Sequence, residues 1–141
     1  MSVASTAVAG TYTITVTGTG GGITHTATVA LTVTAATAGG FTISVSPTSG
    51  SLRQGQSGTD TVTTALSGGF DSGIALSASG EPTGVTITFT PSSIAAPGSG
   101  KSSMRLTVSR TAKTGTYPIT ITGTGGGVTH TTTLAFEVVR R

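Results

Sequence analysis

Apolar residues in this chain recur at every second position. Tyr12, Ile14 and Val16 alternate with threonines, and Val29, Leu31 and Val33 alternate with Ala30 and Thr32 further on. A period of two places successive side chains on opposite faces of an extended backbone, so it predicts half-buried strands. Strands are expected at roughly 11–17 and 23–34. Beyond them, seven more are expected. They are marked by Phe41, Ile43 and Val45; Val62 and Leu66; Ile74, Leu76 and Ala78; Val85, Ile87 and Phe89; Met104, Leu106 and Val108; Tyr117, Ile119 and Ile121; and Val128, Leu134, Phe136 and Val138. Pro47-Thr-Ser-Gly50, Ser67-Gly-Gly69, Glu81-Pro-Thr-Gly84, Pro91-Ser-Ser93 and Pro97-Gly-Ser-Gly100 read as the turns between them. Helical spacing is seen nowhere.

A repeat organises these strands. Gly10-Thr-Tyr-Thr-Ile-Thr-Val-Thr-Gly-Thr-Gly-Gly-Gly-Ile-Thr-His-Thr26 returns 105 residues later as the stretch from Gly115 to Thr131, identical at 14 of 17 positions. The substitutions are Thr13/Pro118, Val16/Ile121 and Ile23/Val128. That offset matches one immunoglobulin-like sandwich, which runs to about 100 residues. Residues 37–141 therefore read as a complete all-β module, an immunoglobulin-like antiparallel β-sandwich of about seven strands. Residues 1–36 read as a partial repeat, the closing β-hairpin of a preceding module. On this offset Met1 aligns with Leu106, so the chain is expected to open inside a strand rather than at a domain boundary.

Composition narrows the functional classes. Hydrophobic residues are 35% and charged residues only 8%, the rest being largely threonine, serine and glycine. The β-branched content favours strands over disorder. A net charge of +3 reflects few acids rather than a basic cluster. Arg53, Lys101, Arg105, Arg110 and Lys113 are scattered along the sequence, and only Arg140 and Arg141 adjoin. That distribution gives no nucleic-acid footprint. Without cysteine or asparagine the chain has no disulfides, thiolate metal sites or N-glycosylation acceptors. No apolar run reaches the roughly 18 residues of a membrane span, so no membrane insertion is expected. No signal segment opens the chain; if the protein is exported, its signal is expected upstream.

The candidate chemistry is sparse. Tyr12 and Tyr117 stand where a tyrosine corner would bond back to nearby backbone. His25 and His130 fall on the apolar parity of their strands and read as structural rim residues; one histidine per module does not make a metal site. Gly18-Thr-Gly-Gly-Gly22 and Gly123-Thr-Gly-Gly-Gly127 lie between alternating strands and read as hairpin turns. Gly98-Ser-Gly-Lys-Ser102 mimics the end of a phosphate-binding loop, but Ala95 stands where the first glycine is needed and a strand follows instead of a helix. The only acids, Asp60, Asp71, Glu81 and Glu137, fit neither a calcium loop nor a catalytic pair. No catalytic residue, cofactor site or metal site is expected. Phe70, in the Ser67–Ser72 turn, is the one aromatic without core parity and hence the candidate ligand contact.

Gly69-Phe70, Glu81-Pro-Thr-Gly-Val85, Phe89-Thr-Pro-Ser-Ser93, Lys101-Ser-Ser-Met-Arg-Leu-Thr-Val108 and Gly115-Thr-Tyr117 together resemble the bacterial immunoglobulin-like repeats related to the NEW3 group. The resemblance covers residues 41–139 and, in part, 3–35. It implies an extracellular or cell-surface location in a large exported protein, and a role as spacer or adhesive accessory. Three functions follow as expectations. The first is a structural spacer among neighbouring modules. The second is a module binding a polysaccharide, cell wall or other surface partner. The third is a subunit that self-assembles with copies of itself, the N-terminal hairpin exchanging strands into dimers or filaments.

Overall fold

A computed structural model describes residues 7–34 and 39–141. The chain divides into two units, Met1–Thr37 and Ala38–Arg141. The module boundary read at 36/37, and the alignment of Met1, lie outside the described residues.

The first unit is a two-stranded antiparallel hairpin, β1 (Gly10–Gly20) and β2 (Ile23–Val33). Its turn is Gly21-Gly22, with φ of 58° and 79°. Positive φ at both central residues is what a type I′ turn requires, and glycine adopts it without steric cost. The register, Gly10↔Val33 through Gly20↔Ile23, puts Tyr12, Ile14 and Val16 beside Leu31, Val29 and Ala27 on one face. The other face is a lawn of threonine.

The second unit is a sandwich of nine strands. One sheet runs β3 (Gly40–Ser46), β5 (Ser57–Ser67), β9 (Gly100–Val108) and β7 (Val85–Thr90). The facing sheet runs β4 (Ser49–Arg53), β11 (Val128–Val139), β10 (Gly115–Gly125), β6 (Ile74–Ser79) and β8 (Ser93–Ile94). All pairings are antiparallel except β4 with β11. The seven strands marked by alternation are present. The two extra ones, β4 and β8, fall where turns were read. Both are held by backbone pairing and carry little apolar pattern: only Leu52 of β4 packs against the core, and β8 pairs through two residues alone.

Inward side chains from both sheets meet in one core built on Phe41, Val62, Ile74, Met104, Ile119 and Phe136. Two buried hydroxyls are satisfied within it. Thr64 Oγ1 donates to Gly98 O at 2.6 Å and Ser102 Oγ to Pro91 O at 2.7 Å. Among the described residues no buried side-chain polar atom lacks a partner. Pro118 sits in the stretch of β10 that pairs with β11 but precedes the β6 pairing, which begins at Thr120. A residue without an N–H is tolerated there because one side of the strand is a local edge.

Candidate functional site

The β10–β11 hairpin repeats β1–β2 in register and turn. Its register runs Gly115↔Val138 to Gly125↔Val128, and its turn glycines, Gly126 and Gly127, have φ of 56° and 77°. The threonine hydroxyls flanking each turn lie close together, Thr19 to Thr24 at 3.2 Å and Thr124 to Thr129 at 3.3 Å. The Tyr12 hydroxyl donates to Val8 O at 2.8 Å. The Tyr117 hydroxyl approaches Lys113 O at 3.2 Å and Thr114 O at 3.4 Å. Each ring thus ties the lead-in segment to the first strand of its hairpin.

His130 is solvent-exposed, yet its ring stands edge-on to Phe41 with centroids 5.1 Å apart. This is an aromatic contact at the rim; among the described residues the imidazole has no side-chain hydrogen bond. His25 occupies the same register position opposite Gly18, on a hairpin whose apolar face is open.

Phe70 is not the free turn aromatic that its sequence position suggests. It is buried, packed against Phe41 at 5.3 Å with the rings tilted by 58°. The glycine-rich loop around it folds inward because burying a phenyl ring is worth a few kcal/mol, on the order of 2. Parity within a strand could not reveal this, since Phe70 lies outside one.

The turn from Ala95 to Gly98, closed by Gly98 N–H donating to Ala95 O at 2.9 Å, leads into β9, of which Gly100, Lys101 and Ser102 are already part. No helix N-terminus follows to receive a phosphate. Among the described residues no group of histidine, aspartate and glutamate could hold a metal ion. Asp60 is half-buried beside Leu52, Gly58, Leu106 and Phe136, and partial burial raises its carboxyl above the ordinary 3.8.

One grouping was invisible in the sequence. Arg53, Arg110 and Arg141, scattered along the chain, converge on a recess of about 240 Å³ with Gln54, Gly55 and Gln56. No acid lines it. The ends of β4, β9 and β11 meet there through the Gln54 N to Val139 O and Gly55 N to Val108 O bonds, each 3.0 Å. Sequence separation hid the grouping; only the parallel β4–β11 pairing brings Arg53 to the end of the chain.

No family model matches the sequence, the NEW3 group included, and no curated protein matches it significantly. Solved structures do. Domains 4 and 5 of the S-layer protein SbsC align with a TM-score of 0.51 at 22% identity, over 94% of this chain and 66% of that one. A family 123 glycoside hydrolase from Clostridium perfringens, studied for glycolipid glycan hydrolysis, aligns with a TM-score of 0.52 at 14% identity, over 74% of this chain and 28% of that one. This chain thus spans under two thirds of the length of either structure. At these identities the likeness is one of fold.

Proposed function

We propose that this chain is a non-catalytic structural module of an exported protein, one of a tandem series of immunoglobulin-like units that holds other parts at a distance from a cell surface. The observation that carries the reading is the duplicated hairpin: the same eleven-pair register occurs twice, 105 residues apart. Repetition of that length is the hallmark of an array built from one sandwich at a time. The likeness in fold to domains of an S-layer protein agrees with it. The spare chemistry agrees as well. The surface is threonine-rich and weakly charged, and Phe70, the turn aromatic offered as a ligand contact, is buried.

Glycan and cell-wall polymer binding tests this function. The spacer reading expects no saturable binding up to high micromolar concentration. Specific micromolar binding to one polymer would overturn it in favour of an accessory binding module.

A further inference from the structure

The two hairpins share a register but differ sharply in what covers them. Ile119, Ile121 and Leu134 are each 0% exposed, whereas their counterparts Ile14, Val16 and Val29 are 36%, 58% and 52% exposed. In the second unit the facing sheet covers this face. β6 pairs along Thr120–Thr124 and β4 along Ala135–Val139 at the two outer edges. Among the described residues, β1–β2 has neither the facing sheet nor either edge strand. Its edges at Thr15–Thr19 and Ala30–Thr34 are the equivalents of the docked ones.

We propose that β1–β2 is the closing hairpin of a second sandwich, and that its occupant is a polypeptide with the strand layout of β3 to β9 and a vacant place for a hairpin. The same chain displays what such a face packs against, so the partner's chemistry can be read from the second unit. It has a four-stranded sheet with an apolar inner side, one short antiparallel strand for β1 and one parallel strand for β2. This deepens the modular reading by naming the partner surface.

A second intact copy of this chain is a poor occupant, on two counts. Among the described residues each copy carries two hairpins and one acceptor, so exchange only trades one exposed hairpin for another. The trade is also unequal: Val16, Val29 and Leu31 would replace Ile121, Leu134 and Phe136, which are almost wholly buried. Smaller side chains there leave cavities, while the bulkier hairpin is released to water. The matching acceptor is therefore bulkier than this chain's own opposite those three positions.

The test uses the full chain and, as probe, a separate polypeptide of its residues 39–114, an acceptor without a hairpin, refolded together. The expected result is a one-to-one complex, with the full chain alone monomeric. Val16→Ile combined with Val29→Leu and Leu31→Phe should tighten the complex about tenfold or more, because the hairpin then fills the acceptor as β10–β11 does. Ile14→Asp should abolish it and leave the thermal transition of the second unit unchanged. Dimers of the full chain formed by exchange, no capture of the probe, or equal capture by Ile14→Asp would each overturn the proposal. A glycan hit in the binding assay would overturn the spacer reading without touching this one.

Discussion

Tyr117 and Asp60 show how far single residues carry this fold. The Tyr117 hydroxyl bridges two carbonyls of the segment before β10, so Tyr117→Phe loses those bonds and keeps the ring. A net hydrogen bond contributes about 1 kcal/mol, and thermal unfolding should report a loss of about that size. Tyr12→Phe makes the same change in a hairpin outside the sandwich and should leave the main transition alone. Asp60 acts through pH. Its carboxyl is raised in the folded state by partial burial, so the folded protein binds the proton more tightly than the unfolded chain. Stability contributed at this site is greatest below the ordinary 3.8 and declines as pH rises through the raised value. In Asp60→Asn that decline should vanish, and denaturant titrations of both proteins across the window from 3.8 upward measure the difference. A wild-type stability that instead rises relative to the variant across that window would refute the assignment.

The hairpins separate local from tertiary information at the scale of the element. Register, turn type and threonine pairing are the same in both, so they follow from about two dozen residues of sequence. Burial differs, so it does not. Phe136→Ala should cost about 3–5 kcal/mol, the range for truncating a buried phenylalanine. Leu31→Ala, its counterpart, should cost the sandwich nothing that calorimetry resolves. Alternation of apolar residues likewise made the longer strands legible. It missed β4 and β8, because β4 sends only Leu52 toward the core and β8, with Ile94 buried, is two residues long, so neither is apolar over enough positions to show a period. It also misplaced Phe70, because a loop residue folded into the core has no parity to betray it.

The whole molecule joins a closed unit to an open one. The closed unit, nine strands around one core, has its buried polar groups satisfied among the described residues. The open unit is a hairpin whose sequence is that of a core element and whose apolar face meets solvent. An isolated two-stranded hairpin is marginal in water, so its stability depends on what covers it. The hairpin's register and turn were legible because the sequence writes them twice. The arginine recess was not, because its members come together only through sheet topology.

Native-state hydrogen exchange on the intact chain tests this account most directly. The hairpins have nearly the same sequence, so their amides have nearly the same intrinsic exchange rates, and each is the other's control. The account predicts that β10–β11 amides exchange only through global opening of the sandwich, while β1–β2 amides exchange through local opening, orders of magnitude faster. Equal protection of the two hairpins would contradict it, and would mean that β1–β2 is already covered in the chain as it stands.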